Sequence, residues 1–146
     1  MAVESVGLAA SVAGLLSLGL QVTGGLVAYL DALKSRGEEL ASVKRQNDSL
    51  AAALSAIKAA FSSSLRNQHH IPAVMRSIQA CEGELQAAEE LLASLANCDT
   101  RTWRQRMKTK TKKLTYSFDR SKIQQINQRL HHANGVLQLT LTGLGL

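Results

Sequence analysis

Three stretches of the chain place apolar residues at steps of three and four. Over residues 40–65 the series is Leu40, Val43, Leu50, Leu54, Ile57, Phe61 and Leu65, with Asn47 filling one step. Over 72–96 it is Val74, Ile78, Cys81, Leu85, Ala88, Leu92 and Leu95, alternating fours and threes without a break. Over 119–142 it is Ile123, Ile126, Leu130, Ala133, Leu137 and Leu141. This period belongs to a helix with one dry and one wet face. The spacing predicts three amphipathic helices packed around Leu50, Leu54, Ile57, Phe61, Ile78, Leu85, Leu92, Ile126, Leu130 and Leu137. Asn47 then falls at the seam, where its amide should be hydrogen-bonded, because a buried unpaired amide costs about 1–3 kcal/mol.

Punctuation agrees with these spans. Ser35-Arg36-Gly37 reads as a turn, and Glu38 and Glu39 follow it in a first helical turn, where the helix dipole favours negative charge. A polar run from Ser62 to His70 leads to Pro72, a residue tolerated at a helix start because its missing N–H costs nothing there. Asn97 and Asp99 end the second span, and Asp119 is a candidate N-cap for the third. Asn134-Gly135 is a turn-like pair that weakens the second half of the third helix, before Gly143 and Gly145 end it. Residues 100–118 hold only a sparse stripe of Trp103, Met107, Leu114 and Phe118, which predicts a basic connector or a short helix.

The N-terminal segment is different. No charged residue occurs over the 26 positions from Ser5 to Leu30, and 11 of residues 6–30 are Val or Leu. A helix over 5–34 is expected, with Gly7, Gly14, Gly19, Gly24 and Gly25 inside it. Twenty-five helical residues span about 37 Å, enough to cross a hydrocarbon core of about 30 Å. One reading is a central helix, apolar all round because its neighbours surround it. Others are a permanent membrane anchor, or a segment packed at rest and inserted on activation. Five glycines at about 1 kcal/mol each against alanine are costly for a helix that only fills a core. Gln21, Thr23 and the same glycines make a weak constitutive anchor. The conditional segment is therefore favoured, with Gly7, Leu8, Val12, Gly14, Leu15, Leu16, Leu18 and Gly19 as the inserting residues. Small residues four apart, such as Gly7/Ser11 and Ala10/Gly14, suit close helix contact in lipid.

Taken together, the 146 residues are expected to form a single all-α domain. Its architecture is a four-helix-type bundle with an additional short helix before the last long helix. One proline and 3% aromatic residues argue against a sheet. Matched helix lengths and short connections are what such a bundle needs.

Charge adds a second element. Residues 1–100 carry 7 Lys/Arg against 10 Asp/Glu, whereas residues 101–146 carry 10 Lys/Arg against one Asp. Arg101, Arg104, Arg106, Lys108, Lys110, Lys112 and Lys113 fall within 13 residues with no acid between them. Such a run is either a solvated connector or a contact for an anionic surface. Near anionic lipid each cation contributes up to about 1 kcal/mol. Nucleic acid is the weaker partner, because no zinc-finger, RRM or helix-turn-helix pattern frames the run. Cys81 lies on an apolar seam and reads as a buried thiol, fitting a reducing, cytoplasmic compartment. No basic n-region precedes the apolar segment, so a secretory leader is not expected.

Catalytic and ligand-binding classes find no support in the pattern. The pairs His69-His70 and His131-His132 point about 100° apart on a helix, and neither an HExxH nor a CxxC motif accompanies them. There is no GKS or GKT phosphate loop and no GxSxG elbow. An enzyme, a metal site, a cofactor and a small-molecule substrate are not expected.

The opening Met1-Ala2-Val3-Glu4, with Gly7-Leu8-Ala9-Ala10-Ser11-Val12-Ala13-Gly14-Leu15-Leu16-Ser17-Leu18, resembles fungal HeLo-like N-terminal domains, which head STAND (NLR-type) receptors. Tyr29-Leu30-Asp31-Ala32-Leu33-Lys34, Glu38-Glu39-Leu40-Ala41-Ser42, and Trp103 in a basic stretch before a final helix extend the likeness over nearly the whole chain. The matching features are compositional. The resemblance implies a helical bundle related to the cell-death domain of the HET-S protein, more distantly to the four-helix domain of the mixed-lineage kinase-like pseudokinase and to plant coiled-coil resistance domains. In such families the N-terminal helix targets membranes. The resemblance further implies self-association, an NLR-type receptor as partner, and movement from cytoplasm to a membrane on activation. Many such domains precede a nucleotide-binding, lipase or amyloid-forming region, and none occurs within these 146 residues.

Overall fold

The computed structural model of the chain describes residues 2–62, 71–109 and 115–143, with side chains described over 10–61, 73–109 and 115–143. The described residues form five α-helices and no strand: α1 Ala2–Ala32, α2 Gly37–Ser62, α3 Ile71–Leu95, α4 Thr100–Thr109 and α5 Arg120–Gly143. The protein is an all-α bundle. Helices α1 and α5 each pack against both α2 and α3, and the short α4 lies on α3.

The three amphipathic spans hold to within a few residues. Leu50, Ile57, Ile78, Leu85, Leu92, Ile126, Leu130 and Leu137 are all essentially without solvent exposure, and Leu54 is buried. Phe61 is only half-buried and packs at the edge of this core. Leu65 lies outside the described residues. Helix α2 starts at Gly37 rather than near residue 40, and the turn expected at Ser35-Arg36-Gly37 is a 3-10 turn over Lys34–Arg36. Gly37 itself has right-handed helical geometry.

Caps mark where helices begin and end. Thr102 N–H donates to Asp99 Oδ1 at 2.7 Å, and Lys122 N–H donates to Asp119 Oδ1 at 3.2 Å. Each carboxylate thereby satisfies one orphan donor of a first turn, at α4 and α5. Asn97 adopts φ 57° just past α3, the left-handed geometry that terminates helices.

The buried amides show how α5 is held. Asn47 donates from Nδ2 to the Thr23 carbonyl of α1 at 3.3 Å, so it sits at the seam as the spacing predicts. Its Oδ1 is buried without a partner among the described residues. The turn-like Asn134-Gly135 does not weaken α5, which runs through it unbroken. Asn134 is buried and donates to both the carbonyl and the side-chain oxygen of Gln46 on α2, at 3.1 and 2.8 Å. This tertiary bond replaces the local bonds that make the residue a turn former elsewhere.

Cys81 is buried against α5, its Sγ 3.9 Å from the Ala133 carbonyl. Burial, with Glu82 and Glu84 adding, pushes this thiol from 9.0 up to about 12. Burial also raises the Tyr116 phenol, although the Trp103 N–H draws it back. The unfolded chain therefore loses these protons at lower pH than the folded one, and stability falls as pH rises. Melting temperature should decline steadily from about pH 9 toward 12. The slope should be shallower in Cys81→Ala, and a wild-type slope in that variant would remove the thiol as a cause.

Candidate functional site

Helix α1 divides into two faces. Val12, Leu15, Leu18, Val22, Leu26 and Tyr29 are buried. At 100° per residue they share one sector, which faces α2 and α3. The opposite sector carries Ala10, Ala13, Gly14, Ser17, Leu20, Gly24 and Val27, all exposed. Leu20 is 70% exposed and Val27 51%. No charged residue interrupts this face before Asp31. The span Ala10–Ala32 is long and apolar enough to cross a membrane; an 18-residue window within it has a mean hydropathy of 1.5, and only 44% of that window is buried. It is thus not a central helix surrounded by neighbours.

The residues expected to insert divide between these faces. Val12, Leu15, Leu18 and Gly19 point inward, Leu16 is half-buried and Gly14 is exposed. The side chains of Gly7 and Leu8 lie outside the described residues. Ala10, Ala13, Ser17, Leu20, Gly24 and Val27 form the open face and are not among the residues expected to insert. Nothing in the sequence separates them from the inner face, because α1 is apolar all round; the positions of α2 and α3 do.

The glycines also serve different ends. A Cβ at Gly19 would lie 2.4 Å from Leu54 Cδ1, and one at Gly25 would lie 2.3 Å from the Trp103 ring. Against the rigid ring, packing requires the glycine at 25; at 19 the end of the Leu54 side chain would have to move. Both contacts remove part of the argument that glycine is wasteful in a core helix. A Cβ at Gly14 would meet only Glu82 Oε1 at 3.8 Å, and one at Gly24 would meet nothing within 4 Å. Packing asks for no glycine at either position.

Beside the C-terminal part of this face lies a groove of about 550 Å³ between α1 and α2. Val27, Leu30, Leu33 and Leu40 supply its apolar lining, Lys34, Lys44 and Arg45 its cations, and Asp31 and Asp48 its acids.

Residues 100–118 resolve into helix α4 and a non-helical segment over 115–119, with Leu114 outside the described residues. Trp103 anchors α4, 1% exposed, with its ring laid over Gly25 of α1. Its Nε1–H donates to the Tyr116 hydroxyl at 3.0 Å, and the Tyr116 ring meets Tyr29 of α1 edge-on at 5.1 Å. Tyr29 in turn donates to the Ser117 carbonyl at 3.3 Å.

The basic run is not uniform. Arg101, Arg106 and Lys108 are exposed on α4, while Lys110, Lys112 and Lys113 lie outside the described residues. Arg104 is the exception to the expected solvated set. Its Nε and Nη2 both donate to the carboxylate of Glu89 on α3, which is 1% exposed, so this guanidinium is committed to a buried acid. Glu89, unlike its exposed neighbour Glu90, is the buried half of an ion pair. His131 and His132 are exposed, and the nearest acid to His132 is Glu84 at 3.9 Å. Among the described residues no group of three or more His, Cys, Asp or Glu is placed to hold a metal ion. No protein-family model, curated protein or solved structure matches the chain.

Proposed function

We propose that this chain is a membrane-targeting, membrane-permeabilising helical domain whose inserting element is α1. The observation that carries the reading is the open face of α1: from Ala10 to Val27 it is exposed, apolar or small, and uncharged. A surface helix of a soluble bundle ordinarily carries charge on that side. The inner side of α1 is apolar as well, so transfer into lipid keeps Leu15, Val22 and Leu26 out of water. Arg101, Arg106 and Lys108 supply attraction to an anionic leaflet. On the resemblance to HeLo-like domains, the setting is fungal programmed cell death or self/non-self signalling. The domain is then cytoplasmic at rest, self-associates at a cell membrane, and answers to an NLR-type receptor. A helical interaction module that uses the same face to dock a protein is the competing reading.

Release of contents from anionic vesicles separates the two. The wild-type chain should bind and permeabilise them, and the test of mechanism is Gly14→Leu. A Cβ at this exposed position meets only Glu82 Oε1, at an ordinary contact distance of 3.8 Å, so folding should be little affected. In lipid it raises hydrophobicity but blocks close helix approach. Binding should persist while release drops several-fold. Vesicles that stay intact with both wild type and variant would favour the protein-docking module.

A further inference from the structure

Helix α4 joins the bundle through few elements. It packs on α3, and its inward attachments among the described residues include Trp103 over Gly25 of α1, Arg104 on Glu89 of α3 and the half-buried Met107. Its outer side is cationic, with Arg101, Arg106 and Lys108 exposed. One short helix therefore carries both the ring that covers α1 and the charges that an anionic surface attracts. We infer that α4 is a clasp on α1: docked in solution, it holds the inserting helix against α2 and α3, and an anionic membrane surface draws it off.

The geometry gives the clasp two separable parts. Trp103 occupies the notch that Gly25 leaves in α1, so the contact requires that position to lack a side chain. Glu89 fixes Arg104 through two hydrogen bonds, a bidentate arrangement that orients the helix as well as holding it. The Tyr116–Tyr29 contact extends the hold on α1 through the segment that follows α4. A surface shifts the docked–undocked equilibrium only by binding the undocked state more tightly. Arg104 is 43% exposed when docked but paired with Glu89; undocking breaks the pair, so an anionic leaflet meets its charge uncompensated in that state alone.

This inference rests on the membrane reading, and its test separates the two. Glu89→Gln weakens the Arg104 attachment from α3, and Gly25→Ala displaces Trp103 from α1. Hydrogen exchange on the full chain in solution should show the amides of α4 opening in each variant, with α2, α3 and α5 still protected. At equal amounts of bound protein, vesicles containing phosphatidylserine should release their contents about tenfold faster than with wild type, in proportion to the undocked population. The chain's one tryptophan, Trp103, should become quenchable by acrylamide in both variants before any lipid is added. If α4 opens and release stays at the wild-type rate, the clasp is overturned while the membrane reading stands. Protected α4 amides in Glu89→Gln would likewise overturn it. No release from wild type or from either opened variant would instead remove the membrane reading beneath it.

Discussion

Leu20→Lys should leave the bundle folded and abolish vesicle permeabilisation. Leu20 is 70% exposed, so the new ammonium stands in water and displaces nothing in the core. Lysine and leucine also have similar helix propensity. The melting temperature should stay close to wild type. In lipid the situation reverses, because Leu20 lies near the middle of the apolar span Ala10–Ala32. A cation at that depth costs about 2.5–3.5 kcal/mol on insertion scales, roughly a hundredfold or more in the inserted population. Leu15→Lys offers no such separation. Leu15 is fully buried, so its loss of activity would be confounded with unfolding. Contents release by Leu20→Lys at the wild-type rate, with a wild-type melting curve, would mean that α1 does not insert.

The second large effect concerns Arg104. Arg104→Gln should lower stability by about 3 kcal/mol, because it leaves the buried Glu89 carboxylate without its partner. For a chain of this length that corresponds to a melting temperature roughly 10 °C lower. Changing Arg101, Arg106 and Lys108 together to Gln should hardly move the melting temperature, since all three are exposed. The triple variant should instead bind anionic vesicles more weakly and with less dependence on salt. Glu89→Gln should cost less than Arg104→Gln, as the buried charge goes and Arg104, 43% exposed, remains partly in water. Equal melting temperatures for Arg104→Gln and the triple variant would show that the ion pair contributes nothing to stability. The contrast matters because a sequence reading treats all seven cations of the run as one feature.

Long, regular apolar spacing was enough to place α2, α3 and α5. Where threes and fours repeat through Val74, Ile78, Cys81, Leu85, Ala88, Leu92 and Leu95, a helix is the one conformation that brings them to one side. Asp119 as a cap and Asn47 at the seam followed from the same local rules. Helix α1 was legible as an uncharged helix. Its faces were not, because a sequence apolar all round carries almost no phase information of its own. Only the positions of α2 and α3 decide that Leu15 is inside and Leu20 outside.

The same limit explains the glycines, Arg104 and Asn134. Gly19 and Gly14 look alike in the chain, but Leu54 lies tight against the first, while only Glu82 approaches the second, at ordinary contact distance. Arg104 looks like its six basic neighbours, and Glu89, fifteen residues earlier, singles it out. Asn134-Gly135 has the local chemistry of a turn, and Gln46, far away in sequence, holds it in a helix. Periodicity and caps are properties of neighbouring residues, so the sequence by itself determined the helices. Which face is open, which glycine is needed and which charge is committed depend on partners brought together only by packing, and these the tertiary structure decided.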